Sequence, residues 1–273
     1  MDIDIILLLK AALLGLIEGL TEFLPISSTG HLIVAENMIG YKDTAELFTV
    51  VIQVGAIFAV ILHYRMQLIK ITRGLLKGDK ASKRFWMNWI IATIPAGIMG
   101  VLLASKLSDF ATLPIIASAL IIGGILILLI ETYHKTPVNA GEAKLDSLTP
   151  MQSFKVGCYQ VLSLVPGVSR SGATIMGGLM TGLDRVTATA FSFYMSIPVL
   201  LLAGAYKLLT DGDQISTVTG GTAAVIAGTI TTFIVSLLAI NWLLKYVSGH
   251  SFKIFAYYRI VFGLLIFLSI IIS

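Results

Sequence analysis

The chain has 273 residues, of which 56% are hydrophobic and only 12% charged, against roughly 25% charged in ordinary soluble domains. With a mean hydropathy of +0.92, that composition excludes a water-soluble surface. The net charge of only +4 reads as loop lysines facing anionic lipid heads and excludes a nucleic-acid footprint. The single cysteine, Cys158, rules out an intrachain disulfide and a thiolate zinc cluster, and is expected to be a small buried hydrophobe.

The acidic start Met1-Asp2-Ile3-Asp4 lacks the basic region of a cleavable signal, so it is expected to stay in the mature chain. An apolar region then runs from about Ile5 to Gly40 and is broken at Pro25-Ile26-Ser27-Ser28-Thr29-Gly30. Proline stops the first half-helix, because it lacks an N–H and clashes with the preceding turn. Ser and Thr then start a second half-helix as N-caps. Uninterrupted apolar stretches follow near 46–63, 85–104 and 112–132, each about as long as a bilayer core requires. A second broken region, from about Met151 to Gly182, is interrupted at Pro166-Gly167-Val168-Ser169-Arg170-Ser171-Gly172. Three more stretches lie near 187–209, 218–241 and 253–272. The expected fold is an all-α polytopic membrane protein with six transmembrane helices and two re-entrant helix pairs. Irregular backbone at membrane depth is tolerated only inside protein or beside a wet cavity.

Charge orients this plan. Arg65, Lys70, Arg73, Lys77, Lys80, Lys83 and Arg84 lie between the first two spans with only Asp79 against them, which places that loop in the cytoplasm. Lys135, Lys144, Lys155, Arg185, Lys245 and Lys253 then fall on the same side. Lys10, Lys42, Lys106 and Lys207 fall on the other, with both termini outside. His63, His134 and His250 lie at span ends or in loops and are expected to be solvated.

The two broken regions match at an offset of 142 residues: Gly15 with Gly157, Leu20 with Leu162, Ser27 with Ser169, Gly30 with Gly172. Phe48 matches Phe191 one residue further on. Each copy continues into three spans, an odd number, so the copies have opposite orientation. The chain is expected to be a single membrane domain, 1–273, with repeat one at about 1–135 and repeat two at about 150–273. Inverted repeats place their functional sites near the midplane, between broken helices.

Glu18 and Glu22 stand four apart in an apolar run and share one helix face. An ionisable group at that depth costs at least ~2.5 kcal/mol, which favours a metal site or an acid/base pair. The second copy has Gln160 and Leu164 there, so the carboxylates belong to one half only. Ser27, Ser28, Thr29, Gly30 and His31 open a half-helix whose free N–H groups form an anion site, with Ser28 or His31 as nucleophile. Ser169, Arg170, Ser171 and Thr174 read as a phosphate clamp, or Arg170 as an ion-pair partner of Glu18 or Glu22. Gln53, Asn88 and Met195-Ser196 are expected to serve helix packing.

The stretch Glu18-Gly19-Leu20-Thr21-Glu22-Phe23-Leu24-Pro25-Ile26-Ser27-Ser28-Thr29-Gly30-His31 resembles the first signature of bacterial undecaprenyl-diphosphatases of the bacitracin-resistance type. Pro166-Gly167-Val168-Ser169-Arg170-Ser171-Gly172-Ala173-Thr174 resembles the second. The resemblance covers essentially the whole chain. It implies a bacterial plasma-membrane hydrolase that converts undecaprenyl diphosphate to undecaprenyl phosphate, recycles the carrier lipid for peptidoglycan, and confers bacitracin resistance when abundant. It implies a divalent cation, Mg²⁺ or Ca²⁺, and catalytic positions at Glu18, Glu22, Ser28, His31, Arg170 and Thr174. Expected partners are the lipid substrate and membrane lipids, with a homodimer left open. The rival expectation is a transporter or flippase of an anionic polyprenyl lipid using the same midplane site, which in the enzyme opens to the outer face.

Overall fold

Long apolar runs cut by Gly, Pro and Ser give helices of two lengths. The computed structural model describes residues 4–43, 47–107, 110–133, 143–213 and 218–272; the expectations for His134 and Lys135 lie outside these. In chain order the helices are α1 Ile5–Thr21, α2 Ser28–Ile39, α3 Leu47–His63, α4 Arg65–Leu76, α5 Lys80–Leu107 and α6 Leu113–Tyr133. They continue with α7 Pro150–Val161, α8 Arg170–Met180, α9 Arg185–Asp211, α10 Gly221–Val247 and α11 Lys253–Ile272. The described residues are all-α.

Five of these, α5, α6, α9, α10 and α11, are long and apolar enough to cross a membrane. The remaining expected span, α3, has 17 residues and rises only about 26 Å. It continues into α4 after a 71° bend. The segment read from sequence as a cationic loop is therefore partly helical: α4 buries no residue and exposes Met66, Ile69 and Leu76 beside Lys70 and Arg73. That pattern suits a helix lying in the membrane interface. Asp79 then accepts from the Ser82 hydroxyl and N–H, which holds its carboxyl below the usual range.

α1 stops four residues before Pro25 and α7 five before Pro166, while α2 and α8 start inside the breaks, at Ser28 and Arg170. α1 is capped by Asp4, which accepts from the Ile6 and Leu7 N–H groups. α7 starts in a capping box between Thr149 and Gln152 with Pro150 in its first turn. α2 and α8 are capped by Ser27 and Ser169, whose hydroxyls accept from Gly30 N–H at 3.4 Å and Gly172 N–H at 3.1 Å.

Small residues set the helix crossings, as expected where lipid removes the hydrophobic drive between helices. α1 packs along α10: a Cβ at Gly15 would lie 2.4 Å from the Gly228 carbonyl oxygen. α7 packs on α5, where a Cβ at Gly157 would lie 2.4 Å from the Ala92 carbonyl oxygen. α6 and α11 cross reciprocally: a Cβ at Gly124 would meet the Ala256 carbonyl oxygen, and one at Gly263 the Ala117 carbonyl oxygen, both at 2.8 Å. Gly157→Val should therefore destabilise by about 1–3 kcal/mol, read as a lower unfolding temperature in detergent. Gly97→Ala in α5, with nothing within 4 Å, should leave that temperature unchanged or raise it.

The core lies behind the two breaks. Phe23 packs edge-on against Phe193 with centroids 5.1 Å apart, among Phe191, Tyr194 and Met195 of α9. α9 is continuous through Met195-Ser196; Ser196 donates to the Phe193 carbonyl of its own helix. Arg185, counted as a loop charge, is buried: its Nη2 bonds Glu131 Oε2 at 2.5 Å, and the Phe252 N–H donates to Glu131 Oε1. Cys158 departs from expectation in the other direction. It is exposed, because it shares with Phe154 the outward face of α7.

Candidate active site

Both breaks force the same backbone. Ser27 and Ser169 have φ of 71° and 76° and are the only non-glycine residues with positive φ among those described. That region disfavours residues with a Cβ, and such strain gathers at functional sites. It aims the first turns of α2 and α8 at one cavity, bringing together N–H groups that no helix carbonyl can satisfy and the positive ends of two helix dipoles.

The cavity holds about 180 Å³. Its polar wall is Glu22, Ser27, Ser28, Thr29, Gln53, Ser163, Ser169 and Arg170; Leu164, Val165, Pro166, Val199 and Leu200 close it. Sites that enclose a whole drug-sized ligand hold roughly 300–1,000 Å³. This one suits a small polar headgroup.

Glu22 is its hub. Its Oε1 accepts from Arg170 Nη2 at 2.7 Å, and its Oε2 accepts from the Ser28 hydroxyl at 2.5 Å. Both side chains of the ion pair are nearly buried, at 9% and 6% exposure. Arg170 also donates from Nη1 to the Ser192 carbonyl, and its guanidinium lies 5.8 Å from the Phe23 ring centroid. Its buried Nε–H has no partner among the described residues. Of the two acidic partners that the sequence allowed Arg170, the structure selects Glu22.

Glu18 is fully buried, and neither carboxylate oxygen has a partner in hydrogen-bonding geometry among the described residues, although Ser28 and Gln53 lie close by. Two orphaned carboxylate oxygens beside a second carboxylate are hard donors suited to Mg²⁺ or Ca²⁺. Among the described residues there is no group of three or more His, Cys, Asp or Glu that would hold a metal. A cation there would have only one or two carboxylates and would take its other ligands from phosphate or water oxygens, the usual arrangement for Mg²⁺.

His31 stands apart from the cavity wall. Its Nδ1 is 2.7 Å from the Ser27 carbonyl and its Nε2 2.6 Å from the Tyr258 hydroxyl. The ring stacks on Phe262 at 4.3 Å. With Nδ1–H donating to the carbonyl, Nε2 is left to accept from Tyr258. Ser171 and Thr174 are fully buried as well: Ser171 donates to the Leu24 carbonyl, and Thr174 bonds Ser192 Oγ and the Arg170 carbonyl. They brace the clamp from behind, while Ser27, Thr29, Ser169 and Arg170 face the cavity.

Asn88 serves packing as expected, donating to the Leu148 carbonyl. Gln53 does not serve packing alone; it lines the cavity. Ser163 and Tyr258 carried no signal beyond residue type. Arg259 carried one: an ionisable residue inside an apolar span marks function or a paired interior site.

The family described as bacitracin resistance protein BacA matches residues 11–265. The chain is 47% identical to an undecaprenyl-diphosphatase from Albidiferax ferrireducens over 266 residues, covering 96% of this chain and 95% of that one. It is 46% identical to an undecaprenyl-diphosphatase from Methylobacillus flagellatus over 268 residues, covering 96% and 98%. It is 43% identical to undecaprenyl-diphosphatase 1 from Burkholderia cenocepacia, covering 97% and 96%.

Proposed function

The chain belongs to the BacA bacitracin resistance family, and we infer that it is an undecaprenyl-diphosphatase. It is a multi-pass membrane enzyme that hydrolyses undecaprenyl diphosphate to undecaprenyl phosphate and inorganic phosphate. This returns the carrier lipid to cell-wall synthesis and underlies bacitracin resistance.

One observation carries the chemistry: the hydrogen bond from the Ser28 hydroxyl to Glu22, in a small cavity that also holds Arg170. A hydroxyl bonded to a carboxylate is an activated nucleophile. Glu22 takes the proton as Ser28 Oγ attacks the terminal phosphorus. The bond to the bridging oxygen breaks, and undecaprenyl phosphate leaves with that oxygen. Water then attacks the phosphoserine, releasing phosphate and returning the proton to Ser28. Arg170 and the N–H groups of both half-helices take up the charge on the equatorial oxygens, where most catalysis of phosphoryl transfer resides. His31, with both ring nitrogens occupied outside the cavity wall, orders the first turn.

Glu18, whose two carboxylate oxygens have no partner among the described residues, would hold the divalent cation, which when bound neutralises diphosphate oxygens. The prenyl tail lies against lipid-facing apolar grooves such as that of about 420 Å³ between α5 and α9, lined by Trp89, Ile94, Ile98, Pro198 and Leu202. The two halves are inverted copies; the exchanged packing of α1 on α10 and α7 on α5, and the twin serine caps, support that reading. The cationic, exposed α4–α5 hairpin faces the cytoplasm, so the cavity opens to the outer face.

The test is phosphate release from undecaprenyl diphosphate by purified protein in detergent. Release should be steady, fall by about a hundredfold or more with chelator, and return with Mg²⁺ or Ca²⁺. No release under any of these conditions refutes the diphosphatase reading. Release indifferent to chelator refutes the cation.

A further inference from the structure

Arg259 lies in the second turn of α11 with 1% of its surface exposed, and no acidic side chain pairs with it among the described residues. Its five N–H groups go instead to five backbone carbonyls. Nε donates to Leu120 at 3.3 Å, Nη1 to Pro25 at 3.1 Å and Val168 at 2.9 Å, and Nη2 to Ala119 and Gly167, both at 3.0 Å.

The destinations matter. Pro25 precedes Ser27 by two residues, and Gly167-Val168 lead directly into Ser169-Arg170. One planar guanidinium therefore bonds both broken turns and ties them to α6. Carbonyls of irregular backbone inside a membrane need such a partner, and a fixed five-donor fork serves several at once where an ammonium, with three donors, does not. The surroundings make room for it. A Cβ at Gly123 would lie 2.1 Å from Nη2, and one at Gly172 would lie 3.1 Å from Nη1.

The peptide plane relays this hold to the cavity. In a trans peptide the N–H points opposite to the C=O. With the Val168 carbonyl turned to Arg259, the Ser169 N–H is turned away from it, and it has no partner among the described residues. Ser169 lines the cavity. We propose that Arg259 is the positioning residue of the site: by holding the carbonyls of both turns it fixes their mutual register and presents the Ser169 N–H and Arg170 to the phosphate. This rests on the diphosphatase reading.

The test measures phosphate release from undecaprenyl diphosphate together with monodispersity and unfolding temperature. Three variants are compared with the parent chain: Arg259→Lys, Arg259→Ala and Gly123→Ala. The last leaves the arginine in place and pushes its head aside, with a residue that favours helix. Misplacement on the scale of 1 Å costs about a hundredfold. Arg259→Lys and Gly123→Ala should lose about that factor in kcat while remaining monodisperse, with KM changed by less than about threefold. Methylguanidinium should raise the turnover of Arg259→Ala by about tenfold and leave the parent chain unaffected. The proposal is overturned if monodisperse Arg259→Lys or Gly123→Ala turns over at more than about a third of the parent rate, or if methylguanidinium leaves monodisperse Arg259→Ala unchanged. Loss of all three variants to aggregation makes Arg259 a folding residue and also overturns it. A parent chain that releases no phosphate refutes the diphosphatase reading instead.

Discussion

Glu22→Gln should slow phosphate release by about a thousandfold and also destabilise the protein. Two effects coincide at this residue. The amide cannot take the proton from the Ser28 hydroxyl, which Glu22 Oε2 now accepts at 2.5 Å. It also removes the counter-charge of Arg170, which Glu22 Oε1 holds at 2.7 Å with both groups nearly buried. Removing one member of a buried pair costs about 3–5 kcal/mol, because the other is left uncompensated. Adding Arg170→Met should recover part of that stability and none of the activity, since no guanidinium is then stranded. Thermal unfolding and phosphate release on the same preparations check both halves. Activity within tenfold of the parent chain would remove Glu22 from the role of base.

Ser28→Ala should lose roughly 10⁴-fold or more in kcat, the scale on which loss of a covalent nucleophile is felt. Stability should change little, because Glu22 keeps its bond to Arg170. His31→Ala should cost less, about ten- to hundredfold. The ring lies off the cavity wall and contributes through its bonds to the Ser27 carbonyl and Tyr258. From sequence both side chains, three residues apart, were candidates, with Ser28 the favoured one. Placement separates them: α2 turns Ser28 toward Glu22 and His31 toward α11.

Much of this architecture was legible because membrane physics writes it in coarse letters. Spans read at 112–132 and 253–272 became α6 at 113–133 and α11 at 253–272, since a bilayer dictates the length of an apolar run. Both breaks fell where Pro and Gly stood. Glu18 and Glu22 stood out for a related reason: two carboxylates at that depth are too costly to be incidental.

What the sequence hid depends on three-dimensional neighbours. Nothing in a run of serines says that Ser27 and Ser169 take positive φ. Arg185 read as a loop charge because Glu131, its partner, is 54 residues away and the helix ends that join them are not adjacent in sequence. Gln53 read as a packing residue because only the crossing of α3 and α9 beside the two turns places it on the cavity wall. Cys158 read as buried because cysteine usually is, but the outer face of a half-helix in lipid accepts it equally well.

We propose that phosphoryl transfer starts from Ser28 in the cavity between the two serine-capped turns. The most direct measurement is phosphate release from undecaprenyl diphosphate by purified parent chain, Ser28→Ala and His31→Ala in detergent, each verified as monodisperse. The predicted result is steady release by the parent chain, a partial loss in His31→Ala, and no detectable turnover in Ser28→Ala. Near-parental turnover in Ser28→Ala together with loss of all turnover in His31→Ala would contradict it.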